Sequence, residues 1–268
     1  MSGGYTDPGA FARLPSDLVT RLRNRSFPLL LRPAAACLLA LGASVARPAD
    51  APTLTPFAAA GDPPAPWKVQ GLPNQTKPYT RFSVVELDAK PVLKVEADSS
   101  YGNLVHPVQT DANGLFLAWR WRIDKPIDAA DLRTRGGDDT AVKVCVFFDM
   151  PIDRVPFVER QLFRAARANA GEPLPTATVC YVWDSHVAAG TTLDNAFTRR
   201  MRYKVLESGA AHLRQWVPER RDISADFVAL FGDESKEVPP VIGIVVGADA
   251  DNTHTQSLAY VADVKLEH

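Results

Sequence analysis

Short segments in which apolar and polar residues alternate make up most of the chain from Thr80 onward. Successive side chains of a β-strand point to opposite faces of a sheet, so this alternation predicts strands with one buried face. The segments are rich in Val, Phe, Tyr and Trp and are separated by Asp, Gly, Pro and Asn, as is usual for strands and turns. The eight predicted strands are Arg81–Leu87, Val92–Ala97, Leu115–Ile123, Ala141–Phe148, Thr176–Trp183, Arg199–Glu207, Val241–Val246 and Leu258–Leu266.

Two segments between these strands have a helical pattern instead. Pro156–Ala168 carries apolar residues at helical spacing and few β-branched ones, which predicts a surface helix. Ser224–Phe231 begins with a serine that can cap a helix and ends before Gly232, which predicts a second, shorter helix. Long connections between the strands favour a Greek-key or jelly-roll arrangement. We therefore expect an all-β, antiparallel β-sandwich with two short helices over residues 79–268.

Residues 1–46 have the composition of an N-terminal extension followed by a secretory signal peptide. Arg21, Arg23 and Arg25 precede a short apolar run that ends at Ala46. The run is shorter than the roughly 20 apolar residues that cross a bilayer, and the small residues at its end favour cleavage after Ala46. We expect a periplasmic or secreted protein with no transmembrane helix after cleavage. An N-terminal core helix and a lipid anchor on Cys37 are the alternatives.

Proline is frequent in residues 47–78, where it occurs eight times. Proline lacks the N–H group that a β-ladder needs, so this segment is predicted to be an extended linker or a strap that lies over the domain. Trp67 is the first residue of the segment that we expect to be anchored.

Charge and cysteine content restrict the partners and the redox state. The chain has 30 Lys and Arg against 31 Asp and Glu, so it lacks the basic excess typical of nucleic-acid-binding proteins. After cleavage, Cys145 and Cys180 would remain, each in the middle of a predicted strand. They form a disulfide if the two strands are neighbours with facing side chains, and otherwise they are buried thiols.

Three predicted strands combine an apolar face with a cationic one. Trp119 and Trp121 are predicted to point into the sandwich, which directs Arg120 and Arg122 out of it. The same alternation places Lys143 opposite a valine face. In Arg199–Glu207 it places Met201, Tyr203 and Val205 inward and Arg200, Arg202 and Lys204 outward.

Two interpretations of these cations remain open. In the first, they pair with acidic residues across strands and only solvate a sheet. In the second, they lie together on the concave face of a jelly roll, where guanidinium groups and aromatic rings bind an acidic glycan or another extracellular polymer. The candidate ligand-binding residues are Arg120, Arg122, Lys143, Phe147, Tyr181, Trp183, Arg200, Arg202 and Lys204.

Acidic residues in and near loops are candidates for a structural Ca²⁺ site. Asp249, Asp251 and Asn252 follow a predicted strand, and Asp263 lies in the last one. Calcium takes six to eight oxygen ligands of this kind, but Asp and Asn also build turns through bonds to the backbone. Both interpretations stay open, with Ca²⁺ as the one candidate cofactor.

Signals of catalysis are few. The chain contains no G-x-S-x-G, H-E-x-x-H or P-loop sequence, and its five histidines are scattered. Asp149 and Asp184 end two strands that we expect to be neighbours, which makes them a tentative carboxylate pair for glycoside hydrolysis. Aspartates at strand ends more commonly start turns, so an enzyme is less favoured than a binding protein.

Six groups of residues carry a resemblance to a known family: Trp119–Asp124, Gly137–Asp139, Tyr181–Asp184, Ser208 with Gly209, Glu219–Asp222 with Asp226 and Phe227, and Asp249–Thr253. Together they resemble the proteobacterial family catalogued as domain of unknown function 3047, over about Trp67 to Glu267. The resemblance implies a secreted or periplasmic bacterial protein. That family has no assigned activity, so no catalytic residue is transferred.

The last predicted strand carries a second resemblance. Tyr260–Leu266 resembles the last strand of carbohydrate-binding jelly rolls. In many of those proteins an aspartate at the position of Asp263 supports a structural calcium, so the resemblance implies that role for Asp263.

These observations favour a saccharide- or polymer-binding module. A glycan-active hydrolase or lyase that uses paired carboxylates is the first alternative, and an envelope domain that contacts other proteins is the second. Glycan binding without turnover would support the binding module, and release of sugar products would support the enzyme. An exposed apolar patch without glycan binding would support the domain that contacts other proteins.

Overall fold

The computed structural model describes residues 51–169 and 174–268. The predicted signal peptide and Cys37 lie outside the described residues. The strands are β1 (Lys68–Gln70), β2 (Arg81–Leu87), β3 (Lys90–Asp98), β4 (Tyr101–Thr110), β5 (Phe116–Lys125), β6 (Thr140–Phe148), β7 (Ala177–Asp184), β8 (Thr192–Asp194), β9 (Met201–Ser208), β10 (Val217–Asp222), β11 (Val241–Asp249) and β12 (Gln256–Glu267). The α-helices are α1 (Phe157–Asn169) and α2 (Ile223–Phe231).

These strands form two sheets that pack face to face. The seven-stranded sheet has the order β1-β4-β11-β6-β7-β9-β8, and the five-stranded sheet has the order β10-β5-β12-β3-β2. Every pair of neighbouring strands among them is antiparallel except β7 and β9, which are parallel. The predicted all-β, antiparallel-rich sandwich with two helices is therefore confirmed.

The main core lies between the inner faces of the two sheets. Trp119 of β5 packs against Tyr181 of β7 with ring centroids 5.3 Å apart, and Trp121 packs against Trp183 at 6.1 Å. All four rings are buried. Burial of four large aromatic side chains contributes strongly to the hydrophobic stabilisation of the fold. The predicted inward orientation of both tryptophans of β5 is confirmed.

The outer face of the seven-stranded sheet carries a second apolar cluster. Tyr203 and Val205 of β9 and Val245 of β11 pack there beneath Leu132 and Val187, which come from connecting segments. The central strands of this sheet are therefore buried on both faces. Strands in that position are apolar on both sides, which explains the nearly continuous apolar composition of β6 and β7.

Cys145 of β6 and Cys180 of β7 form a disulfide on this outer face. They are directly opposite each other in the antiparallel register, with Cα atoms 4.1 Å apart. Of the two alternatives that the sequence left open, the structure has the disulfide. The bond joins neighbouring strands, so it holds their register at the centre of the sheet.

Four strands were not predicted from the sequence: β1, β4, β8 and β10. β4 contains Gly102 and Pro107, and β10 contains Pro218, residues that usually interrupt strands. The register of β11 shifts next to Pro107, which accommodates the missing N–H group. β1 and β8 have three residues each, too few for a period of two to be recognised.

Residues 51–78 contribute to the packed domain. Leu54, Phe57 and Trp67 are buried in the main core, so anchoring begins earlier than the predicted position at Trp67. The indole of Trp67 donates to the carbonyl of Thr55 at 2.8 Å and packs edge-on against His106, with ring centroids 5.0 Å apart.

The helices lie close to their predicted positions, but α2 has a different cap. The carboxylate of Asp222 accepts a hydrogen bond from the Ala225 amide at 2.9 Å, which is the usual N-cap arrangement. Ser224, the predicted cap, lies inside the first turn and donates to the carbonyl of Ala112 instead. Neither described helix is long and apolar enough to span a membrane.

Candidate functional site

A cavity of about 510 Å³ opens on the outer face of the seven-stranded sheet. Small-molecule sites usually measure about 300–1,000 Å³, so this cavity is large enough for one. Its lining comes from the five strands β1, β4, β6, β7 and β9, from the loop between β1 and β2, from α1, and from the segments before β7 and β9. The side chains that define it are Gln70, Leu72, Tyr79, Tyr101, Asn103, Phe147, Phe163 and Thr178.

Phe147 of β6 and Thr178 of β7 face each other on the floor of the cavity. The next pair on the same face is the disulfide between Cys145 and Cys180, so a covalent bond holds the two floor strands together. Gly243 of β11 lies beside this floor, where a Cβ atom would approach the Phe147 ring to 3.2 Å. The glycine therefore leaves the space that the phenyl ring occupies.

Tyr101 and Asn103 of β4 form one wall. The Asn103 Nδ2 atom donates to the Tyr101 hydroxyl at 3.0 Å, while Asn103 Oδ1 is buried and has no partner among the described residues. A Cβ atom at Gly247 of β11 would collide with Asn103 Oδ1, so the glycine allows the amide to take this position. This wall combines an aromatic ring with an acceptor that is not engaged by the chain.

A buried ion pair supports this wall from behind. Lys143 Nζ binds Asp249 Oδ2 at 2.7 Å, and both side chains are almost fully buried. The ammonium group lies 5.1 Å from the centroid of the Tyr101 ring. Burial raises the pKa of the Tyr101 hydroxyl, with Lys143 opposing it, so this hydroxyl is a neutral hydrogen-bonding group at pH 7.

Gln75 holds the loop between β1 and β2, which forms the second wall. Its Oε1 atom accepts from the Leu72 amide at 2.9 Å, and its Nε2 atom donates to the Tyr101 carbonyl at 2.9 Å. Further bonds from Nε2 reach the carbonyls of Lys77 and Pro78. One side chain thus ties the loop to β4 and carries Leu72 to the mouth of the cavity.

Helix α1 forms the third wall. Phe163 is buried against the cavity, and Glu159, one turn earlier, binds the guanidinium of Arg200 at 2.6 Å. The same guanidinium binds Glu234 at 2.6 Å. These charge-assisted bonds tie the helix to the residue that precedes β9.

The described residues that line the cavity include no Asp or Glu. The basic residues among them are Lys68 and Arg200, and the charge of Arg200 is already balanced by Glu159 and Glu234. The lining is therefore mainly aromatic, apolar and amide in character. Such a surface suits an uncharged ligand that presents both apolar faces and hydrogen-bonding groups.

The nine predicted ligand-binding residues do not share one surface, so that expectation is wrong. Phe147 lies on the cavity floor and Arg200 at its edge, while Lys143 is buried behind the wall. Arg120 and Arg122 lie on the outer face of the five-stranded sheet, where they pair with Asp263 at 2.6 Å and with Asp124 at 2.7 Å. Alternation places residues on a face but does not say which sheet a strand joins, and β5 belongs to the opposite sheet.

The remaining predicted residues lie between the sheets. Tyr181 and Trp183 are buried in the main core. Lys204 is in register with Tyr181, so Lys204 and Arg202 lie on the inner face of β9, opposite to the prediction. Apolar residues also cover the outer face of this sheet, so Tyr203 and Val205 are buried there. Arg202 and Lys204 therefore point to the inner face, at the edge of the sandwich.

Helix α2 and the segment after it neutralise these inner cations. Lys204 Nζ binds Asp226 Oδ1 at 2.6 Å, and Asp226 also accepts from the Tyr181 hydroxyl at 3.0 Å. Arg202 binds Asp233 at 2.7 Å and also contacts Glu234. Although burial opposes it, hydrogen bonds from Arg221 and Lys204 hold the pKa of Asp226 below its usual value. Arg202 and Lys204 therefore stabilise the packing of α2 and do not face a ligand.

The predicted calcium ligands come together only in part. Carboxylate oxygens of Asp249, Asp251 and a third residue, Asp139, lie within 4.8 Å of one another, and Asn252 is adjacent. Asp263 is on the other sheet, paired with Arg120, so its predicted role in the same site is wrong.

The residues of this acidic cluster do not fit a calcium ion. Asp249 accepts from Thr140 and binds the Lys143 ammonium, and Asp251 binds the Lys77 ammonium. Asp139 accepts from the backbone and side chains of Asn252 and Thr253. Two ammonium groups and several N–H and O–H donors engage every oxygen of these three carboxylates except Asp251 Oδ1, which is buried without a partner among the described residues. The cations already present in the cluster support the interpretation as turn-building residues.

Asp149 and Asp184 do not form a catalytic pair, so that prediction is wrong. Asp149 follows β6, and Asp184 is the last residue of β7. Because β6 and β7 are antiparallel, the two aspartates lie at opposite ends of the paired strands. Asp184 is opposite Ala141 when the register is continued, so the separation is roughly 27 Å at about 3.4 Å per residue, beyond the range of about 5–10 Å for glycosidase carboxylates. Asp184 instead accepts from the amides of His186, at 2.7 Å, and Val187.

Of the residues that line the cavity, sequence reasoning identified only Phe147 and Arg200, and it missed Tyr79, Tyr101, Asn103 and Phe163 among others. The alternation of Tyr101, Asn103 and Val105 was a usable signal, but Gly102 and Pro107 obscured it. Phe163 was part of the predicted helix, where an apolar residue is normally assigned to packing. No local signal indicates that these residues meet Phe147.

Comparison with known proteins gives one family match and several structural similarities. A family model described as "Protein of unknown function (DUF3047)" matches residues 65–265. No curated protein matches the chain.

Three solved structures illustrate the structural similarities. One is TmCBM61 in complex with β-1,4-galactotriose, with 10% identity and a TM-score of 0.32, covering 75% of this chain and 88% of that one. The second is endoglucanase 3 of Trichoderma harzianum, from family GH12, with 11% identity and a TM-score of 0.39, covering 82% and 97%. The third is a cellulase derived from Cel12A of Rhodothermus marinus, with 12% identity and a TM-score of 0.33, covering 78% and 97%.

Proposed function

The chain belongs to the DUF3047 family of proteins of unknown function, and we propose that this member is a secreted module that binds a neutral saccharide in the cavity on the seven-stranded sheet. The observation that carries the proposal is the composition of the lining. Tyr79, Tyr101 and Phe147 offer flat apolar surfaces, and Asn103 presents a hydrogen-bonding amide between them.

This lining matches the chemistry of a sugar ring. A pyranose has apolar C–H faces that stack on aromatic rings and a rim of hydroxyl groups that donate and accept hydrogen bonds. The Asn103 amide, the neutral Tyr101 hydroxyl and the Thr178 side chain add hydrogen-bonding groups to the lining.

The same lining supports a neutral ligand and binding without turnover. Of the cations predicted to bind an acidic glycan, Arg120 lies on the other sheet, and Arg202 and Lys204 are neutralised by Asp233 and Asp226. Hydrolysis by paired carboxylates needs two acidic side chains close to the sugar, and the described lining residues include none.

Secretion belongs to the proposal because of two independent features. Residues 1–46 have the pattern of a signal peptide, and the disulfide between Cys145 and Cys180 is of a kind that persists mainly in oxidising compartments. The test is the N-terminal mass of the protein purified from the periplasm or medium. A mass that begins after Ala46 supports the proposal, and an unprocessed chain in the cytoplasm contradicts it; a lipid-modified Cys37 would indicate an anchored form.

Saccharide binding is tested by calorimetry with a panel of neutral and acidic oligosaccharides. We expect a neutral saccharide to bind, and we expect Phe147→Ala and Asn103→Ala each to weaken it at least tenfold. Trp216→Ala is the matched control, because Trp216 lies over Arg120 on the opposite sheet. Melting temperatures show whether the variants fold.

Three results would contradict this function. They are no binding to any neutral saccharide, equal affinities for the Phe147, Asn103 and Trp216 variants, or exclusive binding of acidic glycans. Release of reducing ends or unsaturated products from the panel would instead identify a glycan-active enzyme.

A further inference from the structure

Exposed apolar residues occur on two of the elements that line the cavity. Leu72 and Tyr79 stand on the loop between β1 and β2 with 48% and 51% of their surface exposed. Val158 and Leu162, on the helix α1 that lines the cavity with Phe163, are 70% and 68% exposed. Large apolar residues that are exposed as a group next to a cavity commonly mark a binding surface.

The apolar residues of α1 form a continuous ridge that begins in the cavity. Residues four positions apart in a helix lie one above the other on the same face. Ala166 lines the cavity, Leu162 is one turn before it, and Val158 is one turn before Leu162. The ridge therefore runs from the cavity lining out along the surface of the helix.

Neighbouring arginines are turned away from this ridge. Arg160 donates to the carbonyls of Asp153 and Val155, and Arg167 donates to the carbonyl of Leu174. Both guanidinium groups thus bind backbone on the side of α1 that faces the domain. Their cationic groups do not interrupt the apolar surface, although arginine makes up part of every turn of the helix.

The floor of the cavity differs from its exit in chemistry. Asn103, Thr178 and the Tyr101 hydroxyl provide polar groups at the floor and wall, whereas Leu72 is an exposed apolar residue of the lining and Leu162 is exposed on α1 next to the lining residue Phe163. A plain saccharide would satisfy the floor but would leave the ridge exposed. A purely apolar ligand would cover the ridge but would leave the polar groups of the floor and wall without hydrogen-bonding partners.

We propose that the ligand is an amphiphile, a saccharide that carries an alkyl or acyl chain. The sugar lies in the cavity against Phe147 and Asn103, and the chain leaves past Leu72 and along the ridge of Leu162 and Val158. This inference rests on the proposed saccharide-binding function and adds a second part to the ligand. Burial of the chain against these residues contributes hydrophobic affinity that a free sugar lacks.

The test compares matched ligands by calorimetry below their micelle concentrations. The pairs are methyl and octyl β-D-glucopyranoside, galactopyranoside and mannopyranoside, and octyl tetraethylene glycol is the chain without a sugar. We expect at least one octyl glycoside to bind ten times or more tightly than its methyl partner, a difference of about 1.4 kcal/mol. Octyl tetraethylene glycol is expected to bind at least tenfold more weakly than that glycoside.

Two variants test where the alkyl chain of the ligand binds. Leu162→Asn and Val158→Asn are exposed substitutions outside the cavity lining that are expected to reduce the octyl-to-methyl ratio at least threefold while leaving affinity for the methyl glycoside unchanged. Val228→Asn on α2 is the control, since Val228 is also exposed and apolar but is not among the cavity residues. Melting temperatures verify that all three variants fold.

The outcomes separate this inference from the function on which it rests. Equal affinity for octyl and methyl glycosides, with saccharides still bound, overturns the amphiphile and leaves the saccharide-binding function. Absence of binding to every saccharide and glycoside overturns both. Equal binding of octyl tetraethylene glycol overturns the amphiphile because the sugar then contributes nothing. Sedimentation that shows self-association lost in Leu162→Asn also overturns it, because the ridge is then a contact between copies of the chain.

Discussion

Lys143 and Asp249 form an ion pair with an Nζ–Oδ2 distance of 2.7 Å, and the pair is buried directly behind the Tyr101 ring of the cavity wall. Asp249 also accepts from the amide and the hydroxyl of Thr140, so one carboxylate links β11 with two positions of β6. Although burial opposes it, the Asp249 carboxylate raises the pKa of Lys143, which keeps the ammonium charged. The wall of the candidate site therefore depends on a charge pair that solvent does not reach.

Removal of one member of this pair should destabilise the protein. We expect Lys143→Met to lower the free energy of unfolding by about 3–5 kcal/mol, because Asp249 is left as an unpaired buried charge. Urea denaturation measures the change. Lys265→Met is the control, since Lys265 is an exposed partner of Glu267 and its loss should cost less than about 1 kcal/mol. Equal effects of the two substitutions would contradict the structural role of Lys143.

The disulfide should contribute measurably to stability. The two cysteines are 35 residues apart, and closing a loop of this size is expected to stabilise the folded state by about 3–4 kcal/mol. Urea denaturation with and without dithiothreitol measures this contribution. The Cys145→Ala, Cys180→Ala double variant is the control, because its stability should not respond to the reductant. A wild-type protein that is equally insensitive would show that the bond is not formed.

Loss of the Arg202 side chain should destabilise the protein more than loss of the Arg120 side chain. Arg202 is buried against Asp233 and Glu234, so we expect Arg202→Ala to cost at least about 2 kcal/mol of stability. Arg120 is on the surface, and we expect Arg120→Ala to cost less than about 1 kcal/mol. Neither variant should change saccharide affinity once folding is verified. Weaker saccharide binding by a folded Arg120→Ala variant would contradict this expectation and would support a cationic ligand-binding surface that includes Arg120.

Asp138 should make stability depend on pH in a defined window. It is buried and accepts from the Tyr203 hydroxyl at 3.0 Å and from the Asn195 amide. Burial, with a contribution from Asp249, raises the pKa of Asp138 to about 6 from the model-peptide value of 3.8. Because the folded state holds this proton more tightly than the unfolded state, the contribution of Asp138 is fully present below about pH 4 and is lost as the pH rises to about 6.

The Asp138→Asn variant isolates this contribution, because its amide cannot lose a proton in this range. We expect its free energy of unfolding, relative to wild type, to rise between pH 4 and pH 6 by on the order of 1–3 kcal/mol and then to stay constant. Urea denaturation of both proteins at matched pH values provides the difference. A difference that does not change over this range would show that Asp138 titrates normally.

Gly247 should be required for the position of Asn103. A Cβ atom at this position would collide with Asn103 Oδ1 and would lie 2.9 Å from Lys143 Cε. We expect Gly247→Ala to cost about 1–3 kcal/mol and to weaken saccharide binding at least tenfold. Gly136→Ala is the matched control, since a Cβ atom there has no neighbour within 4 Å. Unchanged binding by Gly247→Ala would remove Asn103 from the site.

The strand β5 shows how far a local pattern predicts the fold. Its alternation predicted that Trp119 and Trp121 point inward and that Arg120 and Arg122 point outward, and both predictions are confirmed. The same rule predicted the wrong orientation for β9. An alternating strand has one apolar face. When apolar residues cover both faces of a sheet, the alternation does not indicate whether the apolar face of the strand lies on the inner or the outer side of that sheet.

The cavity depends on contacts that no local pattern contains. Tyr79 precedes β2, Asn103 is in β4, Phe147 is in β6 and Phe163 is in α1, and they meet because β4 and β6 both pair with β11. β11 comes almost 100 residues after β6 in the chain. Pairing over such distances is decided by the burial of both sheets together and not by the residues of one strand.

By itself, the amino-acid sequence determined eight of the twelve strands, both helices and the side chains that share each strand face. These properties follow from a period of two or of 3.6 residues, which is set by local backbone geometry. Only the tertiary structure decided which sheet each strand joins, which face of β9 is covered, and that Cys145 faces Cys180 beside Phe147. Those outcomes depend on the order and register of strands that are distant in the chain, and many orders are compatible with one alternating pattern.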